Sequence, residues 1–247
     1  MKRTIVAANW KMHKTTAQTA AFFDAFLPAI ASLPPEIEIV VAPPFTALSE
    51  AMRHVSGTRV RLGAQTMHWE LEGAFTGEVS APMLLELGVS HVILGHSERR
   101  MYCDETDRSV NRKVHTALAQ GLTPIVAVGE TGSEREAGAT DERVVSQTRA
   151  AFAGVPAADL ARVMMAYEPI WAIGTGRNCD PEEAERVMGL IRRSLDGLAQ
   201  TPLLYGGSMN AGNVATYVGK ANVNGGLVGG ASLDPAGFAT LAANAAQ

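Results

Sequence analysis

The sequence predicts an α/β fold, a single (β/α)8 barrel domain over residues 1–247, from three observations. Eight short apolar runs alternate with longer amphipathic stretches along the chain. No linker rich in Pro, Gly or Ser divides its 247 residues. The length is that of barrels in which eight βα units fill roughly 250 residues. A doubly wound open sheet fits the same alternation and remains the alternative on pattern alone.

Each apolar run has the length of a strand that is buried on both faces, as in a parallel sheet. In chain order the runs are TIVAANW from Thr4, EIVVA from Glu38, RVRLGA from Arg59, VSHVIL from Val89, LTPIVAV from Leu122, ARVMMAY from Ala161, PLLYGG from Pro202 and ANVNGGLVGG from Ala221.

Three of the intervening stretches carry clear helix signals. Their apolar stripes are Phe22, Phe26 and Ile30, then Val110, Val114 and Leu118, then Val187, Leu190, Ile191 and Leu195. The third stretch opens with Asp180 and Pro181, an N-cap residue followed by a first-turn proline. The second ends at Gly121, a helix stop signal. These stretches are the predicted crossover helices between parallel strands.

Composition excludes several function classes. The net charge of −4 and the absence of a long basic run argue against nucleic-acid or anionic membrane partners. No apolar run approaches the roughly 18 residues of a membrane span. Cys103 and Cys179 are the only cysteines and lack the spacing of a zinc site, so we expect no metal site and two reduced thiols. We therefore expect a cytoplasmic protein.

Polar residues follow the strands where a barrel places its chemistry, at the carboxyl ends. Asn9 and Lys11 follow the first run, and in an extended segment both would face the barrel mouth. Lys11 could neutralise an anion, form a Schiff base, or simply be a solvated surface lysine. His96 follows the fourth run, where Ser97 and Glu98 look like the opening of a helix. A helix N-terminus favours a neutral imidazole that donates a hydrogen bond, although a merely packed histidine fits equally.

Glu168 directly follows the sixth run, and because it precedes a proline it is biased toward extended backbone. A carboxylate between Tyr167 and Trp171 is a plausible partly desolvated base. The loop that follows, with Gly174 and Gly176, could close over a ligand and offer bare backbone N–H groups.

Two glycine pairs end the last two runs. Gly206-Gly207 precedes Ser208, and Gly229-Gly230 precedes ASLDP, which could begin a short helix. Glycine pairs let backbone amides approach an oxyanion, and these two loops form the recurrent phosphate site of such barrels. A cation, a neutral donor, a carboxylate base and a phosphate cradle together suit proton abstraction next to a carbonyl, which gives an enediolate.

These residues carry a family resemblance. The segments NWK (9–11), GAFTGE (73–78), GHSERR (95–100), AYEPIWAIGTG (166–176), YGGS (205–208) and GLVGGASL (226–233) occur in order along nearly the whole chain. They resemble the triosephosphate isomerase family. The resemblance implies reversible isomerisation of dihydroxyacetone phosphate and D-glyceraldehyde 3-phosphate, a reaction of glycolysis and gluconeogenesis, without a cofactor.

The resemblance also implies a role for each residue. Glu168 would be the base, and Lys11 would supply positive charge. His96, as a neutral imidazole, would polarise the carbonyl and shuttle the oxygen-bound proton. The substrate would further be bound by Asn9 and by the backbone amides of Gly174, Ser208, Gly229 and Gly230. Glu98 would support Lys11.

A homodimer is implied as well. Residues 65–79, with Thr76, match the loop that inserts into the partner subunit and supports Asn9 and Lys11. From the residues alone this segment is only a long loop, and a surface excursion fits equally.

The chain departs from the family pattern at several positions. Val128 stands where Cys is common, Arg177, Asn178 and Cys179 replace the more usual Lys-Thr-Ala, and Asn224, Gly225 and Gly226 replace Asp-Gly-Phe. Trp69 in the interface loop is also atypical. We expect effects on loop closure, phosphate binding and dimer strength, with Cys179 as the thiol to watch for oxidation.

Two other functions fit parts of the pattern. A non-catalytic phosphosugar-binding barrel would keep both glycine pairs but could dispense with Glu168 or His96. A Schiff-base aldolase would use Lys11 as its nucleophile, and borohydride would then trap a keto substrate on it.

Overall fold

The computed structural model describes residues 3–174 and 178–246. Eight strands form a closed parallel barrel in the order of the chain, which confirms the predicted fold class. Their bounds are β1 Thr4–Asn9, β2 Ile37–Ala42, β3 Val60–Ala64, β4 Val89–Leu94, β5 Thr123–Val128, β6 Met164–Tyr167, β7 Leu203–Tyr205 and β8 Gly225–Val228. Each lies within or nearly within one of the apolar runs.

Helices surround the barrel. Their bounds are α1 Thr16–Ala29, α2 Leu48–Val55, α3 Ala81–Glu86, α4 Ser97–Tyr102, α5 Asp107–Ala119, α6 Gly132–Glu136, α7 Thr140–Ala151, α8 Pro181–Arg193, α9 Val214–Val218 and α10 Pro235–Asn244. The three helices read from the sequence are α1, α5 and α8. Asp180 caps α8 as predicted, with its side chain accepting from the backbone N–H groups of Glu182 and Glu183.

Two apolar layers hold the fold together, and strand alternation assigns residues to them. Within β1, Ile5 and Ala7 point into the barrel, whereas Val6 and Ala8 point outward against the helices. The inner layer contains Ile5, Ala7, Val40, Ala42, Ile93, Ile125, Ala127, Met164, Ala166, Leu204 and Leu227. Small residues alternate with larger ones, so the barrel interior is a packed core and not a pore.

The amino end of the barrel is filled by charged residues. Glu38 of β2 accepts a hydrogen bond from Arg3 Nε at 2.9 Å, and its Oε1 lies 3.3 Å from His91 Nε2 of β4. Ser90 Oγ lies 2.8 Å from the other ring nitrogen of His91. Burial acts to raise the pKa of Glu38, but the hydrogen bond from His91 and the charge of Arg3 outweigh it, and the net pKa is lowered.

The segment after β8 differs from the prediction in one respect. The short helix proposed for ASLDP is a three-residue 3₁₀ turn, Gly230–Ser232, and α10 begins only at Pro235, behind the N-cap Asp234. Proline at the first helical position and Asp before it fix this later start. The long loop predicted after β3 is confirmed, since no helix begins before Ala81. No described helix is long and apolar enough to cross a membrane.

The departures near the strands have simple packing explanations. Val128 is fully buried at the end of β5. Asn224 Oδ1 accepts from Arg192 Nη2 at 3.2 Å and from the backbone N–H of Leu203 at 3.0 Å, so it links β7 to the guanidinium. Gly225 has a φ of 150°, and a side chain there would overlap the carbonyl of Ile5.

Candidate active site

A cavity of about 410 Å³ opens at the carboxyl ends of the strands. It brings together eight of the residues singled out from the sequence, namely Asn9, Lys11, His96, Glu168, Gly174, Ser208, Gly229 and Gly230. Ile173, Asn178, Gly206, Gly207, Met209, Asn210, Leu227 and Ala231 complete the lining. Residues from five different βα loops therefore converge on one space large enough for a small ligand.

Lys11 reaches this cavity by a route that the sequence did not predict. Its backbone is left-handed, with a φ of 53°, so the expectation of an extended Asn9–Lys11 segment was wrong. Asn9 Oδ1 accepts from the Lys11 backbone N–H at 3.0 Å, and Gln65 Nε2 donates to the Lys11 carbonyl at 2.8 Å. Gln65 also donates to Ala42 O at 3.0 Å. Sequence reasoning missed Gln65, although it directly follows a strand end.

The amine of Lys11 is ion-paired. Its Nζ lies 2.5 Å from Glu98 Oε1, as expected from the resemblance. The pair keeps the side chain pointing into the cavity as an ammonium group. An ammonium held by a carboxylate is a poor nucleophile, so the geometry opposes the Schiff-base alternative.

His96 caps α4 and presents one particular nitrogen to the cavity. Its Nδ1 accepts from the backbone N–H of Glu98 at 3.2 Å and therefore carries no proton. The proton of the neutral ring is then on Nε2, which lies 3.1 Å from Glu168 Oε1. The predicted helix start at Ser97 is confirmed, and its N-terminal N–H groups fix the tautomer.

Glu168 is almost fully buried, with 2% of its surface exposed. Its backbone N–H donates to Val128 O at 2.8 Å, which continues the strand pairing for one residue past β6. Its Oε2 accepts from the backbone N–H of Ser97 at 2.9 Å, while Oε1 faces His96. The carboxylate thus lies against the cavity with neutral hydrogen-bond donors around it.

The aromatic neighbours expected for Glu168 contact a different carboxylate. Tyr167 Oη and Trp171 Nε1 both donate to Glu130 Oε1, at 3.1 and 2.8 Å. Strand alternation turns Tyr167 outward, away from Glu168. Glu130 is completely buried, its Oε2 has no hydrogen-bond partner among the described residues, and burial raises its pKa. Nothing in the sequence separated Glu130 from an ordinary acidic loop residue.

Neighbouring side chains partly explain why glycines follow β7. A Cβ at Gly206 would lie 2.8 Å from Glu168 Cγ, and one at Gly207 would overlap the hydroxyl of Tyr205. Ser208 Oγ donates to Ala172 O at 2.8 Å, and Ser208 lines the cavity together with Gly229 and Gly230. Backbone amides exposed in this way can bind an oxyanion.

The residues after Gly174 do not all follow expectation. Cys179 is fully buried, and burial raises the pKa of its thiol to about 12, which opposes the expected sensitivity to oxidation. Its backbone N–H donates to Tyr205 Oη at 3.3 Å. Asn178 lines the cavity, whereas Gly176 and Arg177 lie outside the described residues.

Thr76 is exposed on the loop of residues 65–79 and does not line the cavity of its own chain. Trp69 lies on the same loop, and the guanidinium of Arg112 on α5 lies 4.3 Å from the centre of its ring. This cation–π contact holds the atypical residue against α5. Within residues 3–174 and 178–246, no group of three or more His, Cys, Asp or Glu side chains could hold a metal ion.

Comparison with known proteins agrees with this geometry. The family model described as triosephosphate isomerase matches residues 4–245. The triosephosphate isomerase of Synechococcus sp. (strain JA-3-3Ab) is 48% identical over 245 residues, covering 98% of this chain and 94% of the relative. That of Synechocystis sp. (strain ATCC 27184 / PCC 6803 / Kazusa) is 48% identical, with 98% of each chain covered. That of Caldanaerobacter subterraneus subsp. tengcongensis is 45% identical, covering 98% of this chain and 99% of the relative. The chain belongs to the triosephosphate isomerase family.

Proposed function

We propose that this protein interconverts dihydroxyacetone phosphate and D-glyceraldehyde 3-phosphate by proton transfer through an enediolate. The observation that carries the proposal is the buried pair of Glu168 and neutral His96 at one cavity, 3.1 Å apart. Family membership supports the same reaction. A base and a neutral donor are the two groups that abstraction of a proton next to a carbonyl requires.

Glu168 would remove the proton from one carbon and return it to the other. His96 Nε2 would donate its single proton to the carbonyl oxygen on which charge develops and take one back from the neighbouring hydroxyl oxygen, so that the ring ends neutral again. Because one N–H cannot serve Glu168 and the substrate together, substrate binding must displace the carboxylate from His96. The ammonium of Lys11, beside Asn9, would stabilise the negative enediolate.

The phosphate would be bound by backbone amides of Gly174, Ser208, Gly229 and Gly230. All four residues line the cavity, and Gly229 lies beside the side chain of Lys11. No cofactor enters this scheme, since proton transfer alone completes the reaction.

The experiment is isomerisation by the purified protein in deuterium oxide, followed by proton NMR. Proton abstraction predicts deuterium at the product carbon that received solvent hydrogen. A barrel that only binds phosphosugars would give no product. Borohydride added with the ketose should leave Lys11 unmodified, and its trapping would indicate an aldolase instead.

We also propose that the chain forms a homodimer. All exposed large apolar side chains of the described residues follow β1, β3 or β4, on one side of the barrel. They are Met12, Leu71, Phe75, Met83, Leu85, Met101 and Tyr102. An apolar surface of this kind is typical of a protein interface. The 65–79 loop carries Glu70, Glu72 and Glu78, whereas the loop after β1 carries Lys11, His13 and Lys14, so a second copy would be complementary in charge.

In such a dimer Thr76 would approach Asn9 and Lys11 of the other protomer. Light scattering during size-exclusion chromatography tests the assembly, and a monomer at assay concentration would contradict it. Replacement of Met12, which is 94% exposed in the single chain, by Glu should weaken the dimer. Replacement of exposed Glu142, on α7, by Lys serves as the control.

We further propose that the 247 residues form one domain and that the protein works in the cytoplasm. The two free thiols support this compartment.

A further inference from the structure

Met209, which directly follows Ser208, belongs both to the cavity wall and to the packed core. It lines the cavity beside Ser208 and Gly229, yet only 5% of its surface is exposed. The bulk of its side chain lies in the outer apolar layer, which also contains Val228. An unbranched thioether suits such a position because it can fill an irregular space.

The space that Met209 fills is created by Gly226. A Cβ on Gly226 would overlap Sδ of Met209, lie 3.0 Å from its Cε and lie 3.4 Å from Val228 Cγ2. Gly226 pairs with Val6 of β1 and Tyr205 of β7, whose side chains point outward. The thioether therefore occupies the place of the outward side chain that β8 lacks.

Gly226 and its neighbour Gly225 are glycines for different reasons. Gly225 has a positive φ and no room beside the Ile5 carbonyl, so its constraint is on the backbone. Gly226 has no positive φ, and its constraint is the volume taken by Met209. A residue larger than glycine at position 226 would therefore overlap the side chain of Met209.

The contact connects two parts of the proposed phosphate site. Met209 follows Ser208 directly in the chain, and β8 leads through Val228 into Gly229 and Gly230. Two hydrogen bonds connect Ser208 to parts of the chain other than β8. Ser208 Oγ donates to Ala172 O, and Asn213 Nδ2 donates to Ser208 O at 3.2 Å. The thioether adds a side-chain contact between this segment and β8, beyond the pairing of β7 with β8 that ends at Tyr205.

We propose that Met209 and Gly226 form a size-matched pair that sets the distance between the Ser208 amide and those of Gly229 and Gly230. Met209 is thus a positioning residue for the phosphate of the substrate. This inference rests on the proposed function for the identity of the ligand. The property that it predicts directly, however, is the affinity of the Ser208, Gly229 and Gly230 amides for a phosphate group.

The experiment measures the Kd of inorganic phosphate by NMR titration and the KM for glyceraldehyde 3-phosphate. Gly226→Ala should displace the thioether and raise both values about fivefold to tenfold, with a smaller change in kcat. Met209→Ala should raise them to a similar extent. In the Met209→Ala background, Gly226→Ala should have almost no further effect, because there is no thioether left to displace.

Met188→Ala is the matched control. Met188 lies fully buried on α8 in the same outer layer, so its truncation should lower Tm without changing the phosphate Kd. Unchanged phosphate Kd and KM in Met209→Ala, or additive effects of the two substitutions, would overturn the inference. If Gly226→Ala does not fold, the comparison of Met209→Ala with Met188→Ala decides. The phosphate Kd values of the wild type and the variants could show the expected non-additive pattern while the wild type fails to isomerise the substrate. That result would overturn the proposed function and leave this inference standing.

Discussion

The two ends of the barrel each contain a glutamate beside a histidine. At the carboxyl end Glu168 Oε1 lies 3.1 Å from His96 Nε2, and at the amino end Glu38 Oε1 lies 3.3 Å from His91 Nε2. The residue types and the distances between the two side chains are nearly the same, although the side chain of Glu38 is 18% exposed and that of Glu168 only 3%. The surroundings differ, because Arg3 donates to Glu38 while Glu168 accepts from the uncharged N–H of Ser97.

This difference separates a structural pair from a reactive one. A permanent cation compensates Glu38, so its charge is satisfied within the fold. Glu168 faces a cavity, and the one lysine or arginine that lines it among the described residues, Lys11, is paired with Glu98. A carboxylate held only by neutral donors can exchange them for a ligand at small cost. The identity of the neighbours, more than that of the pair, therefore predicts which end does chemistry.

The largest effect should come from removing the charge of the two glutamates in turn. We expect Glu168→Gln to lower kcat by about 10²–10⁴-fold, since the base is lost while the shape is kept. Glu38→Gln should leave kcat within about twofold and lower Tm by about 3–6 °C. Steady-state kinetics and calorimetry on both variants make the comparison. Undiminished activity in Glu168→Gln would remove the assigned base.

The histidines should differ in the same way, with a smaller effect. His96→Gln should lower kcat by about 10²–10³-fold, because the donor to the developing oxyanion is displaced. His91→Gln should affect stability alone. Equal losses of kcat in the two variants would mean that the ends are not functionally distinct.

Acid should weaken the amino end of the barrel. The pKa of Glu38 is lowered in the folded protein, so its contribution is fully present above the unfolded-state pKa of about 4.3 and is lost as pH falls through the folded-state value. The difference in unfolding free energy between wild type and Glu38→Gln should therefore shrink as the pH falls from about 5 to below the unfolded-state pKa. Urea denaturation across this range checks it. A difference that grows toward low pH would contradict the sign.

The smallest effect concerns the thiols and tests whether burial near the cavity implies reactivity. Cys179 is buried with a pKa raised to about 12, whereas Cys103 is exposed. An aromatic disulfide reagent should react rapidly with Cys103 alone and leave activity nearly unchanged. Cys103→Ser should abolish the rapid reaction. Rapid labelling of Cys179 in that variant would show that the segment around it opens.

Much of the fold could be predicted because the signals are local. Runs that are apolar on both faces give the strands, and Asp180 followed by Pro181 marks the start of α8. The cavity residues followed from the rule that barrel chemistry lies at strand ends.

The remaining features depend on register and packing, which one sequence does not reveal. Glu38 and His91 are isolated polar residues in apolar runs until the barrel closes and places them together with Arg3. The left-handed turn at Lys11 depends on Gln65, 54 residues further along the chain. The contact between Met209 and Gly226 similarly requires knowing which way each strand residue points.

The glycines at 206 and 207 have a consequence for how such motifs are interpreted. Side chains of the same chain, Glu168 and Tyr205, leave no room for a Cβ there, whatever the ligand. A barrel that exchanged its phosphate substrate for another molecule, but kept these two neighbours, would still need both glycines. The tyrosine–glycine–glycine signature thus records the internal architecture of the protein, and its persistence in a distant relative would be poor grounds for assigning that relative a phosphorylated substrate.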